Sequence, residues 1–104
     1  MNIRCELLDK SKQRHLPETK EPLPFGQLRT NHMFVMNYKD GAWQDPRIVP
    51  YGEFSLMPGA MCLHYGQTIF EGAKAFIHDD GELFLFRYDK NCERFNHSAR
   101  NLCM

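Results

Sequence analysis

No stretch of this chain approaches the roughly 20 consecutive apolar residues that a membrane-spanning helix needs, so no such helix is expected within its 104 residues. Excess charge of either sign is missing as well. Thirteen basic residues balance thirteen acidic ones, which leaves no electrostatic footprint for nucleic acid or an anionic membrane and little repulsion between copies. The first ten residues, Met1 to Lys10, lack the apolar core of a signal peptide, and the chain is read as cytoplasmic. Cys5, Cys62, Cys92 and Cys103 contain no Cys-x-x-Cys pair, and in a cytosolic chain they read as four reduced thiols. His15, His32, His64, His78 and His97 show no metal-ligand spacing, so no metal site is expected. A phosphate loop is absent too, because none of Gly59, Gly66 and Gly72 leads into a Lys-Ser/Thr pair.

Aromatics, in contrast, are plentiful. Eight Phe, four Tyr and one Trp in a chain that is 42% hydrophobic are too many for a disordered sequence and suit one small domain. Residues 1–24 are rich in Lys, Glu and Pro and show no sustained period. They read as a loosely ordered lead, with structure starting near Phe25-Gly26. His32 to Tyr38 is apolar and β-prone and runs into Asp40-Gly41. Asp-Gly after such a run signals a hairpin, because a type I′ turn needs positive φ at both central residues. Pro46 and Pro50 interrupt the return segment, so a strand around Arg47-Ile48-Val49 is expected to be short or at an edge.

The pattern then repeats. Ala73 to His78 and Glu82 to Arg87 flank Asp79-Asp80-Gly81 as a second hairpin. Leu83 to Phe86 is apolar on both faces, as in a strand covered on both sides. Asp89 is placed to cap a helix through Leu102 or beyond. Its apolar stripe is Cys92, Phe95, Ala99, Leu102 and Cys103. Cys92 and Cys103 are about three helical turns apart and fall on one face, which makes them core residues before a redox pair. No Gly or Pro follows the stripe, so the helix is expected to run on uncapped, as in a chain cut within it. The fold class is α+β, with mostly antiparallel strands and one C-terminal helix.

An ordered set of short motifs carries more than composition does. Phe25-Gly26 is followed by His32-Met33, then by Trp43 and Pro46-Arg47-Ile48-Val49-Pro50. Leu56-Met57-Pro58-Gly59 leads into Leu63-His64-Tyr65, and Phe70-Glu71-Gly72-Ala73-Lys74-Ala75-Phe76 follows. Arg87, Arg94-Phe95 and Ser98-Ala99 close the series. Over residues 25–104 this order and spacing resembles the branched-chain-amino-acid aminotransferases, pyridoxal 5′-phosphate (PLP) enzymes of fold type IV. The resemblance implies that residues 25–104 are part of the small N-terminal domain, with the cofactor-bearing lysine in a second domain beyond Met104. It therefore implies no catalytic residue in this chain, which alone is expected to be inactive. Lys74 matches a basic residue that is not the covalent one.

The resemblance also assigns the binding residues. Arg94 matches an arginine that contacts the PLP phosphate, a role suited to a planar fork that donates two parallel hydrogen bonds. Helical geometry alone reads differently: Arg94 lies about 130° from the apolar stripe, at about 100° per residue, where a solvated surface residue is expected. Tyr65 and Phe70 match residues lining the substrate side-chain pocket near a subunit boundary, and Phe25 matches a further wall residue. Without the resemblance, all three read as core aromatics. Gly72 would let the backbone come close to a ligand; alternatively it is a strand bulge. The implied reaction passes the amino group of leucine, isoleucine or valine to 2-oxoglutarate, in a homodimer or larger homo-oligomer. The alternatives are a D-amino-acid aminotransferase or aminodeoxychorismate lyase of the same fold, and a non-catalytic dimerisation or binding domain that retains it.

Overall fold

The computed structural model describes residues 2–15 and 23–104. The chain divides into two compact units, Met1–Phe54 and Ser55–Met104.

The first unit is a three-stranded sheet in the order β1-β3-β2. β2 (His32–Lys39) and β3 (Ala42–Pro50) form an antiparallel hairpin in which Lys39 faces Ala42. The two loop residues have φ of 53° at Asp40 and 77° at Gly41. Both angles are positive, as the type I′ turn demands. Tyr38 and Trp43 close the turn edge-to-face, with ring centroids 5.2 Å apart.

β3 corrects the expectation of a short or edge strand. It runs for nine residues and lies at the centre of its sheet. The register explains how Pro46 is accommodated. Val35 pairs with Arg47 and Asn37 with Gln44, so Met36 alone stands opposite Asp45 and Pro46. Asp45 has a φ of 50°, and the extra residue makes a bulge in which proline's missing N–H costs no ladder bond. Pro50 lies at the strand end, opposite His32.

Regular structure also begins ahead of Phe25-Gly26, where the sequence reading placed its onset. β1 (Arg4–Cys5) pairs with Arg47 and Ile48 in parallel, and the Glu6 N–H donates to the Ile48 carbonyl at 2.8 Å. A 3-10 turn at Lys10–Lys12 follows, with the Asp9 carboxylate accepting from the Ser11 N–H at 2.8 Å. Two side chains hold this lead to β2. The Leu8 N–H donates to His32 Nε2 at 2.9 Å, and the Arg14 N–H donates to Asn31 Oδ1 at 2.8 Å. The remainder of the expected lead, Met1 and residues 16–22, lies outside the described residues.

The second unit opens with a one-turn helix, α1 (Met61–His64), and continues through an irregular stretch to a two-stranded antiparallel ribbon of β4 (Ala75–Ile77) and β5 (Leu83–Leu85). Here the turn holds three residues: His78 and Glu82 pair beyond Ile77–Leu83, and Gly81 supplies the left-handed conformation at φ 85°. Leu83, Phe84, Leu85 and Phe86 are all exposed, so the expected cover on both faces is not provided by the described residues.

α2 (Tyr88–Asn101) ends the unit. Its N-cap is Arg87 in the left-handed conformation, without a side-chain capping bond, rather than Asp89. Asp89 stands in the first turn, where its charge complements the helix dipole. At the other end the expectation of an uncapped helix is also overturned. Cys103 adopts φ 55°, its N–H donates to the Arg100 carbonyl at 3.1 Å, and the Met104 N–H donates to the Ala99 carbonyl at 3.0 Å. This pair of bonds is a Schellman motif with cysteine where glycine is usual. Among the described residues no side chain is fully buried, and all four cysteines are exposed. Among the described residues there is thus no buried core, and Cys92 and Cys103 are not core residues.

Candidate functional site

The site assembles around α2. Asn91 and Arg94 are three residues apart, so the helix places them on one face. Both reach the irregular segment before β4. Glu71 meets Arg94 there through a side-on ion pair, Nε donating to Oε2 at 2.5 Å and Nη2 to Oε1. Asn91 Nδ2 donates to Glu71 Oε1 at 3.2 Å and to the Gly72 carbonyl at 2.7 Å. The Gly72 N–H donates to Glu71 Oε1 at 2.9 Å. Glu71 thus accepts four hydrogen bonds and ties residues 70–72 to the helix.

The electrostatics follow from this geometry. The hydrogen bond from Arg94 holds the Glu71 carboxyl down at about 2, against an ordinary 4.5, with smaller help from the Gly72 N–H and Asn91. The carboxylate raises the Arg94 guanidinium above its ordinary value in return. The two partners differ in exposure. The Glu71 side chain is 15% exposed and that of Arg94 65%. Helical geometry was right about Arg94's exposure, yet the side chain is held by a partner rather than loose in solvent. Nη1 of Arg94 has no hydrogen-bond partner among the described residues.

Tyr65 ends α1 as its C-cap residue, and its side chain is exposed, at 78% for the whole residue. Phe70 is 91% exposed in the segment leading to Glu71, and Phe25, in the first unit, is fully exposed. Within this chain none of the three is a core aromatic. Gly72 has neither a positive φ nor a neighbour within 4 Å of an added Cβ. It lies in the irregular segment, not in a strand. The structure therefore joins Arg94 to the Phe70–Gly72 segment, with Tyr65 in the same unit and Phe25 in the other.

Glu71 and Asn91 are the residues the sequence reading missed. Asn91 was legible as a polar residue one helical turn before Arg94. Glu71 stands in the quoted Phe-Glu-Gly motif, but nothing local shows that it reaches a residue 23 positions away. A hollow of about 420 Å³ opens beside this network, between residues 71–73 and the Tyr88, Cys92 and Phe95 side of α2. Among the described residues no group of His, Cys, Asp or Glu is arranged to hold a metal ion, and no helix is long and apolar enough to cross a membrane.

Comparison with known proteins points in one direction. The chain is 50% identical over 96 residues to branched-chain-amino-acid aminotransferase 2 of Bacillus subtilis (strain 168), a match covering 86% of the chain and 26% of that protein. With branched-chain-amino-acid transaminase 1 of the same organism it shares 43% identity over 102 residues, 95% of the chain and 29% of the relative. This chain is a partial-length relative of the branched-chain-amino-acid aminotransferases. The branched-chain-amino-acid aminotransferase of Mycobacterium tuberculosis (strain CDC 1551 / Oshkosh) matches at 43% over 81 residues, 77% of the chain and 22% of the relative. The chain spans about a quarter of the length of the aminotransferases it matches. A match over 102 residues also takes in part of the lead before Phe25, which the sequence resemblance had left out. No family model matches the chain.

Proposed function

We propose that this chain forms part of a fold type IV, PLP-dependent branched-chain-amino-acid aminotransferase that passes the amino group of leucine, isoleucine or valine to 2-oxoglutarate. One observation carries the reading: the Arg94 guanidinium is exposed, braced along one edge by Glu71, and unpartnered at Nη1 among the described residues. That donor set fits a phosphate. Nη1 and the second N–H of Nη2 form an edge able to make two parallel charge-assisted hydrogen bonds, and the guanidinium stays charged at any working pH. PLP, when bound, supplies the electron sink for amino transfer.

The residues of this chain bind and orient. Arg94 holds the phosphate. Tyr65 and Phe70 present aromatic surface to a branched aliphatic side chain, which offers nothing to hydrogen-bond and is recognised by apolar walls, and the family resemblance gives Phe25 the same kind of role. Open space around Gly72 leaves its backbone accessible to a close ligand. No residue here takes the covalent or proton-transfer role. The broad exposure of apolar side chains in both units supports a homodimer or larger homo-oligomer that covers part of that surface.

Kinetics and cofactor binding in the intact protein that carries this chain test the reading. Arg94→Ala lowers PLP affinity about ten- to hundredfold, and Arg94→Lys recovers part of it because charge remains while the fork is lost. Tyr65→Ala and Phe70→Ala leave PLP bound and raise KM for leucine far more than KM for glutamate. Undiminished PLP binding by Arg94→Ala would make Arg94 a surface ion pair only.

A further inference from the structure

We propose that Glu71 is the positioning residue of Arg94: its carboxylate grips the Nε–Nη2 edge and leaves the Nη1-bearing edge free to receive the anion. The inference rests on the phosphate role proposed for Arg94 and names the residue through which that role is set.

Arg94 is a long, flexible side chain on the outside of α2, and at 65% exposure no packing fixes its head. Its only hydrogen-bond partner among the described residues is Glu71. Glu71 is the opposite case, shorter, largely covered and anchored twice more. Its Oε1 accepts from the Gly72 N–H and from Asn91 Nδ2, while Asn91 also donates to the Gly72 carbonyl. A rigid line therefore runs from the backbone at Gly72 and the α2 side chain Asn91, through the carboxylate, to the guanidinium. An arginine already held along one edge loses less freedom on meeting an anion than one that must be ordered on binding. A side-on pair also uses only the inner edge of the fork, and a guanidinium has a second edge to give.

Charge alone argues the other way. The carboxylate offsets the positive charge that attracts a phosphate, so its removal should tighten anion binding if Glu71 were merely a counter-ion. Positioning and charge neutralisation thus predict opposite signs, and the measurement decides between them.

The test is equilibrium binding of PLP and of pyridoxal, which lacks the phosphate, to the intact protein carrying this chain. The variants are Glu71→Gln, Arg94→Ala and the double substitution. Glu71→Gln is expected to lower PLP affinity about three- to tenfold and to leave pyridoxal affinity unchanged. In the Arg94→Ala background it should have no further effect, because its action passes through Arg94. Tighter or unchanged PLP binding by Glu71→Gln overturns the proposal, as does an equal loss in both backgrounds, which marks a structural role. If Arg94→Ala itself binds PLP normally, the phosphate role fails and takes this inference with it. Should Glu71→Gln not fold, Asn91→Ala removes one support of the carboxylate while sparing the ion pair. It should give a smaller loss of the same phosphate-specific kind, and a loss shared by pyridoxal counts against the proposal.

Discussion

The hairpin at Asp40-Gly41 carries strands of eight and nine residues, whereas the one at Asp79–Gly81 carries three on each side. Both turns have the chemistry they need, with glycine at φ 77° in one and 85° in the other. The difference lies in what the strands meet. β3 is paired on both edges, by β2 and by β1, and Pro46 to Val49 are half-buried. β4 and β5 pair only with each other among the described strands, and all six of their residues are exposed. An isolated two-stranded ribbon is marginal. Turn chemistry starts a hairpin, and a third partner decides how far it extends. The second unit compensates with side chains, and the Glu71 network does there what the backbone ladder does in the first.

Acid should separate the two units most. The Glu71 carboxyl lies at about 2 in the fold, below its ordinary 4.5, so its contribution is fully present above pH 4.5 and is lost as pH falls toward 2. Over that window amides of residues 70–74 should lose hydrogen-exchange protection while those of β2–β3 keep theirs. The lowered Asp9 predicts parallel loosening of the 3-10 turn only. Loss of β2–β3 first would reverse the comparison. Next in size is Gly41→Val, which forces a β-branched residue to φ 77° and should cost about 1–2 kcal/mol, read as a lower melting temperature of the first unit. His32→Ala removes the acceptor of the Leu8 N–H, with a cost of about 1 kcal/mol. Faster exchange should then appear at residues 4–8 without change at residues 37–44. The smallest effect expected is a gain. Cys103→Gly relieves the left-handed cysteine that closes α2 and should stabilise the helix end by roughly 0.5 kcal/mol, measured as slower exchange of the last turn.

Much of this was legible locally. Asp40-Gly41 gave the first turn, and Asp79-Asp80-Gly81 the second. A helix capped by Asp89 and running through Leu102 or beyond was expected, and α2 is Tyr88–Asn101, two residues earlier at its start and closed at Leu102. The ordered motifs named the family that the relatives bear out. The helix ends were misread because Arg87 and Cys103 hold left-handed conformations that neither residue type signals.

What the sequence determined by itself is therefore whatever rests on short-range chemistry: φ preferences in turns, the 3.6-residue stripe, and a motif series whose spacing identifies relatives. Tertiary structure decided the rest. Pro46 could enter a central strand only because a bulge opposite Met36 removed the need for its N–H. Arg4–Cys5 became a strand only because β3 had a free edge to pair with. Arg94 acquired a held and oriented fork only because a carboxylate 23 residues earlier folds back onto α2. Each is an interaction between residues distant in the chain, and its energy exists only once the partner has been brought into place.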